Sequence, residues 1–324
     1  VYGSRAGPMA GLALAVCAIH VRQSPLASVD VMMTFWFVGA LWASVRLLER
    51  DEPWDYVLAG ALVGLAGGTK YPGVSAGMAV AAAHLVSRRS LADRHIWIAG
   101  ATAVGVFFAI SPYVLLDFET FQQHFSYQAA HAARGRGEGG GWLYHLTFTL
   151  RHSLGWPGLG LGLVAIVQAI RRPRKETWVL LVGGLAFYLA VSWGRLTFVR
   201  YALPLMALQA VLAAGVVASL PERKWRFTLL LLLIVGPLYG SVRVAHLQGR
   251  RDTRLEARAW IERHVPSGTS CCNFGGWAGD APVRTIGDHW WRLMYFVRGF
   301  GHEKLKRSME FLEVNRSPTP FYRY

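Results

Sequence analysis

Long apolar segments that alternate with short, basic connections constrain this chain more than any other feature. Nine such segments lie at about 6–20, 30–46, 55–69, 71–86, 95–115, 154–170, 178–193, 201–220 and 227–244. A helix needs roughly 20 apolar residues to cross a bilayer, and shorter segments are tolerated where protein encloses them. The pattern therefore predicts an all-α polytopic membrane protein with about nine membrane segments.

Composition agrees with a membrane protein and argues against a nucleic-acid partner. The 324 residues are 53% hydrophobic, include 13 Trp and carry a formal net charge of +15. Tryptophan is enriched where membrane helices meet water, and basic residues concentrate in cytoplasmic loops. Because the basic residues lie between apolar runs, the lipid bilayer is the expected partner, with no binding to nucleic acid.

The distribution of basic residues also predicts an orientation. The loops that share a side with residue 1 hold more Arg and Lys than the opposite loops, with the densest cluster at 171–175. The positive-inside rule places those loops in the cytoplasm. We therefore predict a transmembrane domain over 1–245 in the plasma (inner) membrane. An extracytoplasmic C-terminal segment, 246–324, should begin with a helix at about 252–264 and continue as a small α/β module.

Two irregular regions stand out on the extracytoplasmic side. Gly67, Gly68 and Pro72 flank Lys70, and this composition predicts a helix break. The connection 116–153 includes the glycine-rich run 135–141, which predicts a long mobile loop.

The same topology brings a set of charged residues to one membrane face. Its members are Asp30, Lys70, Asp117, Arg195 and Arg200. Ionisable residues at membrane helices are costly and often functional. Simpler explanations remain open: a helix cap formed by Ser28 or Asp30, a lysine reaching the interface, and arginines contacting lipid head groups.

Histidines raise the question of a metal site on this face. The connection 116–153 contains Asp117, Glu119, His124, His131, His145 and His152. Imidazole and carboxylate groups bind several divalent metals, but this spacing matches no defined ligand pattern. Solvated loop histidines are the commoner explanation, so the metal requirement stays open.

The densest acidic cluster lies on the opposite, cytoplasmic side. It comprises Glu49, Asp51, Glu52 and Asp55. We expect these carboxylates to pair with Arg46 and Arg50 on a solvated loop.

Three segments together resemble a known family. They are residues 24–35 (SPLASVDVMMTF), 60–72 (GALVGLAGGTKYP) and 200–205 (RYALPL), and residues 111–117 (SPYVLLD) add a fourth, weaker likeness. Their order and membrane side resemble the GT-C class of polyprenyl-phosphate-dependent glycosyltransferases, in the protein-mannosyltransferase-like family 39 group. The resemblance extends over about 1–265.

This resemblance implies an inverting transfer of a sugar from a polyprenyl-phosphate donor to an acceptor hydroxyl on a protein, lipid or glycan. It implies a supporting role for Asp30 and donor-phosphate binding by Lys70, Arg200 and Arg195. Further residues near the acceptor or its loop would be Asp117, His124, His131 and Tyr201. In this family a catalytic acid lies in the first outer loop, so the resemblance also implies an N-terminally truncated fragment whose main base precedes Val1.

Two other classes of function remain as alternatives. A transporter or flippase of lipid-linked sugars would also gather cations near a lipid phosphate, but the chain shows no internal repeat and one clear helix break. A noncatalytic membrane scaffold would give no reason for Asp30 and Lys70 to share a face.

Overall fold

The computed structural model describes residues 2–50, 52–87, 90–134, 141–194, 197–267 and 269, and these residues contain helices and no strand. The first half comprises α1 (Ala6–Ala15), α2 (Ala18–Gln23), α3 (Val29–Leu47), α4 (Pro53–Thr69), a 3₁₀ helix (Tyr71–Ala76), α5 (Gly77–Val86), α6 (Arg94–Ile110), α7 (Tyr113–Leu116) and α8 (Phe118–Arg134). The second half comprises α9 (Gly141–Tyr144), a π-helical turn (His145–Thr149), α10 (Leu150–Arg171), α11 (Lys175–Ser192), a second 3₁₀ helix (Val199–Ala202), α12 (Leu203–Ser219), α13 (Arg223–Gln248) and α14 (Thr253–His264).

Each of the nine predicted apolar segments contains a helix, but they differ in length. Among the described residues, five helical runs are long and apolar enough to cross a membrane, and they are Val29–Leu47, Gly141–Arg171, Lys175–Ser192, Val199–Ser219 and Arg223–His264. Shorter apolar helices occupy Ala6–Ala15, Tyr71–Val86 and Arg94–Ile110. The described residues therefore confirm a helical architecture with five candidate membrane spans, while nine membrane segments stay a prediction.

Burial separates a central helix from a peripheral one. In the apolar stretch that contains α12, 83% of the residues are buried. Helix α12 packs against α1, α3, α10 and α11. In the apolar stretch that begins with α13, only 17% of the residues are buried, and Leu231, Leu232 and Val235 are exposed. Because α13 is apolar on its exposed side, that side is suited to face lipid.

Glycine allows α4 and α6 to approach closely. Gly60 and Gly64 are four residues apart on α4, and a Cβ atom at Gly64 would lie 2.5 Å from the carbonyl oxygen of Ala103 on α6. Small residues at this spacing let membrane helices pack backbone against backbone. The contact fixes α4, and hence its C-terminal end at Thr69.

The predicted long mobile loop at 116–153 is wrong for the described part of that region. Phe118–Arg134 forms α8, and the chain is helical again from Gly141, while the residues 135–140 lie outside the described ranges. Phe118, Phe121 and Phe125 recur at helical spacing, with successive ring centroids 6.0 Å and 5.6 Å apart. Phe121 and Phe125 also meet Tyr71 edge-to-face, at 6.2 Å and 5.6 Å. This aromatic stripe, which the glycine run obscured, explains the helix.

The acidic cluster near the end of α3 is not fully solvated as predicted. Asp55 is buried, and its Oδ1 lies 2.5 Å from Nε of Arg46. The predicted pairing of Asp55 with Arg46 is confirmed, but the pair is shielded because Asp55 occupies the first turn of α4, which packs on α3.

The first unit of the chain ends at Leu247, and a second begins at Gln248. Within the second unit α14 (Thr253–His264) confirms the predicted helix at 252–264, and Asp252 caps it by accepting a hydrogen bond from the backbone N–H of Arg254. The α/β module predicted for the rest of the tail lies outside the described residues.

Candidate functional site

Asp30 is held in the first turn of α3 by its neighbour Ser28. The backbone of Ser28 is extended, and its Oγ accepts a hydrogen bond from the backbone N–H of Asp30 at 3.4 Å. The same hydroxyl donates to Oδ2 of Asp30 at 2.7 Å. Ser28 is therefore the helix cap, which leaves the carboxylate of Asp30 available for other partners although the residue is only 2% exposed.

Lys70 reaches Asp30 from the predicted helix break, which is confirmed. Helix α4 ends at Thr69, Lys70 is extended with φ −160° and ψ 128°, and a 3₁₀ helix follows with Pro72 near its start. Proline cannot continue the hydrogen bonding of α4, so the chain turns at this point. The Lys70 Nζ lies 2.5 Å from Oδ1 of Asp30.

Arg200 supplies a second cation from a third part of the chain. It lies on the 3₁₀ helix Val199–Ala202, directly before α12, and its Nε is 3.4 Å from Oδ2 of Asp30. The guanidinium carbon lies 4.4 Å from the ring centroid of Phe198. The guanidinium thus touches a carboxylate and an aromatic face, and its side chain stays 40% exposed.

Tyr201 completes the cluster. Its ring centroid lies 3.9 Å from Nζ of Lys70 and 5.6 Å from the guanidinium carbon of Arg200. An aromatic face attracts both cations through its quadrupole. We call Asp30, Lys70, Arg200 and Tyr201 the charge cluster.

The charge cluster holds two cations and one carboxylate. Asp30 is buried, while the side chains of Lys70 and Arg200 are 23% and 40% exposed. Lys70 lies between the apolar helices, and burial lowers its pKa from the usual lysine value, while the hydrogen bond with Asp30 acts in the opposite direction. With one carboxylate against two cations, the partly exposed side of the cluster is suited to an anion.

Other residues predicted for this face do not join the cluster. Asp117 is exposed and accepts a hydrogen bond from the backbone N–H of Thr120 at 3.4 Å, at the start of α8. His124 is exposed on α8. Arg195 and the side chain of His131 lie outside the described part of the chain.

No metal-binding group emerges from the residues that the structure describes. Among them, no set of three or more His, Cys, Asp or Glu side chains is arranged to bind an ion. His145 and His152 instead bond within their own helix, to the Thr149 hydroxyl and the Phe148 carbonyl.

His145 is a further candidate for the functional site, and the sequence alone did not single it out. It is fully buried at the start of the π-helical turn His145–Thr149, and this turn packs against the 3₁₀ helix that carries Arg200. Its Nδ1 bonds to Thr149 Oγ1 at 3.2 Å, whereas its Nε2 has no hydrogen-bond partner among the described residues. Single π turns are frequent at functional sites. No sequence signal separates a π turn from an ordinary helix here.

The N-terminal third of the chain, which contains two residues of the charge cluster, matches a known family model. Residues 1–115 match the family model of dolichyl-phosphate-mannose-protein mannosyltransferases. Over these residues the chain is similar to that family. The match contains Asp30 and Lys70, while Arg200 and Tyr201 lie beyond it. It is also narrower than the resemblance over 1–265 expected from the motifs.

The wider comparisons add no relative. No curated protein and no solved structure matches the chain.

Proposed function

We propose that this protein is a membrane glycosyltransferase of the GT-C type and that it transfers a sugar from a polyprenyl monophosphate to an acceptor hydroxyl. The acceptor oxygen forms a bond with the anomeric carbon, the bond between that carbon and the phosphate oxygen breaks, and the hydroxyl proton passes to a base. The polyprenyl phosphate leaves with the electron pair of the broken bond. One such displacement inverts the anomeric configuration.

The observation that carries this proposal is the meeting of Lys70 and Arg200 on Asp30. Negative charge grows on the leaving phosphate, so the transfer needs fixed cations next to that phosphate. The Lys70 Nζ and the Arg200 Nε contact Asp30, while the ammonium and guanidinium groups each have further N–H donors. Those donors can bind phosphate oxygens without displacing the ion pairs.

Asp30 acts in this proposal as a positioning residue. Its carboxylate lies within 3.4 Å of both cations and is too buried to meet an acceptor in bulk water. A carboxylate that holds two cations apart at fixed places reduces the reorganisation needed when the phosphate arrives. The assignment agrees with the supporting role that the family resemblance implies.

We assign His145 to the sugar of the donor. Its turn packs beside the 3₁₀ helix of Arg200, and Nε2 is the ring nitrogen without a described partner. A buried polar nitrogen without a partner costs free energy that a ligand hydroxyl would recover. Because His145 is fully buried, this contact requires the π turn to open when the sugar of a donor bound at Arg200 arrives.

The proposal places the charge cluster on the extracytoplasmic face of the plasma membrane. Basic residues are in excess at the opposite helix ends, which favours the cytoplasm for those ends. Replacing Cys271 and Cys272 by serine removes the cysteines of the tail, and Ser24→Cys or Glu222→Cys then introduces a label site at either end. A membrane-impermeant maleimide added to whole cells should label the first variant and spare the second. The reverse labelling would overturn the orientation.

Photocrosslinking tests donor binding directly. The full chain, reconstituted in vesicles, is irradiated with a photoreactive polyprenyl-phosphate sugar and then assayed for sugar on a hydroxyl acceptor. We expect the chain to be crosslinked, and we expect unlabelled polyprenyl phosphate to prevent this crosslinking. We also expect sugar to appear on the acceptor. If the intact donor crosses the vesicle membrane and no glycosylated acceptor forms, the proposal of glycosyl transfer is overturned in favour of transport.

A further inference from the structure

A second candidate binding site lies at the other end of α3. Apolar side chains from α3, α11 and α12 line a crevice of about 420 Å³. Three charged residues, Arg46, Glu49 and Arg50, also line it, and we call them its border. Arg46 is 16 positions after Asp30, which corresponds to about 24 Å along a helix. This headgroup crevice is therefore distinct from the charge cluster.

Arg46, Glu49 and Arg50 lie on one face of the helical turn at the end of α3. The backbone N–H groups of Glu49 and Arg50 both bond to the carbonyl oxygen of Arg46, at 3.0 Å and 3.1 Å. These bonds continue the helical turn, so residues 46, 49 and 50 have the i, i+3, i+4 spacing of one face. Two guanidiniums and one carboxylate thus stand together above an apolar space.

The chemistry of the border selects a ligand that carries both charges. Arg46 uses Nε for Asp55, and its terminal nitrogens can still donate to a phosphate. Glu49 can accept hydrogen bonds from an ammonium group. A phosphate and a primary ammonium a few bonds apart, attached to hydrocarbon chains, describe the head of a phosphatidylethanolamine.

The walls suit the hydrocarbon part of such a lipid. Val38, Leu41, Val45 and Leu208 are among the apolar side chains that line the crevice. Trp42 is 56% exposed, and the guanidinium carbon of Arg46 lies 5.7 Å from its ring centroid. Exposed tryptophan beside arginine is typical of the level where lipid head groups begin.

We propose that the headgroup crevice binds one phosphatidylethanolamine molecule. Arg46 and Arg50 hold the phosphate, Glu49 holds the ammonium, and one acyl chain lies between α3, α11 and α12. The proposal does not depend on glycosyl transfer, since the residues belong to the end of the bundle opposite the charge cluster.

Native mass spectrometry of the full chain in detergent tests this. Phosphatidylethanolamine, phosphatidylglycerol and phosphatidylcholine with identical acyl chains are added in equal amounts. We expect phosphatidylethanolamine to be retained several-fold more than phosphatidylcholine, whose quaternary ammonium cannot donate a hydrogen bond. Equal retention of the three lipids would mean that lipid associates with the protein surface without selectivity, and it would overturn the proposal.

Variants separate the two halves of the recognition. Arg50→Gln should lower retention of both phosphatidylethanolamine and phosphatidylglycerol, whereas Glu49→Gln should move the preference toward phosphatidylglycerol. Arg223→Gln removes the same charge outside the crevice and should change neither. A Glu49→Gln variant with the original preference would refute the assignment of the ammonium.

Two further variants test the apolar part of the crevice. Val211→Phe fills the crevice from α12, and Val235→Phe makes the same change on the exposed side of α13. The first should reduce phosphatidylethanolamine retention and the second should leave it unchanged. Displacement of the bound lipid by polyprenyl phosphate at equal concentration would assign the crevice to the donor lipid and overturn the proposal.

Discussion

Asp30 and Lys70, 40 positions apart in the chain, form an ion pair of 2.5 Å between Oδ1 and Nζ. The pair links the first turn of α3 to the break after α4, and Arg200 adds a contact from the start of α12. Each of these residues lies where a helix begins or ends. Such ends bring irregular backbone and charged side chains together inside a bundle of apolar helices.

Asp30→Asn should weaken both the fold and donor binding. The amide keeps the shape of the carboxylate but leaves two neighbouring cations without a counter-charge. Breaking a buried pair in this way costs about 3 kcal/mol. We expect a lower Tm in detergent and loss of donor crosslinking. Asp117→Asn is the matched control, because Asp117 is exposed and outside the charge cluster. Equal Tm values for the two variants would contradict the positioning role of Asp30.

Arg200→Gln should weaken binding of the lipid phosphate whether or not a sugar is attached. A charge-assisted hydrogen bond contributes about 1.5–3 kcal/mol, or about a 10- to 150-fold change in Kd. Competition binding with a polyprenyl-phosphate sugar and with polyprenyl phosphate alone measures both affinities. Arg200→Lys keeps the charge and should recover part of the loss. An unchanged affinity for polyprenyl phosphate would remove Arg200 from the phosphate site.

His145→Phe should affect the sugar and spare the phosphate. Phenylalanine keeps a ring in the buried space and removes both nitrogens, the Nε2 without a described partner and the Nδ1 that bonds to Thr149. Loss of this bond from the buried Thr149 hydroxyl costs about 1–3 kcal/mol, so Tm should fall. We expect this lower Tm together with weaker binding of the sugar-bearing donor and normal binding of polyprenyl phosphate. A parallel loss for both ligands would point to a purely structural histidine.

Donor binding should weaken on the alkaline side because of Lys70. Burial lowers the pKa of Lys70, so its charged form is lost at a lower pH than for an exposed lysine. The phosphate-binding charge is present below this pKa and disappears as the pH rises through it. Lys70→Arg should remove that alkaline loss, since arginine stays protonated. Titration of donor affinity against pH, with Lys224→Arg as control, gives the comparison.

Gly64→Ala should destabilise the contact between α4 and α6. The added Cβ would lie 2.5 Å from the carbonyl oxygen of Ala103 and 2.9 Å from the Cβ of Val106, so the two helices must separate. Overpacking of this kind costs about 1–3 kcal/mol. Gly100→Ala on α6 meets nothing within 4 Å and should leave Tm unchanged or raise it. Similar Tm values for both variants would exclude a tight helix contact at Gly64.

The sequence predicted the helix break at Lys70 because glycine and proline act locally on the backbone. It also predicted that Asp30, Lys70 and Arg200 share one face, since alternation of apolar segments assigns each connection to a side. It did not predict their direct pairing on Asp30, which depends on how three separate helix ends pack. The same limit applies to His145, whose importance rests on a π turn and on burial by distant residues.

The helix α8 shows a different limit. Its aromatic spacing was present in the sequence, but the neighbouring glycines favoured a loop. Edge-to-face contacts of Phe121 and Phe125 with Tyr71 supply a tertiary interaction that local composition does not report.

The charge cluster exists only when the starts of α3 and α12 and the end of α4 have all assembled. An unfolded or partly inserted chain holds Asp30, Lys70 and Arg200 apart, so it cannot offer a phosphate two fixed cations. Any lipid phosphate that occupies the cluster therefore shifts the folding equilibrium toward the assembled bundle, by an amount set by its concentration relative to its Kd. A donor that binds there, as proposed, is thus also a folding ligand, and membranes depleted of it should hold less of the assembled protein.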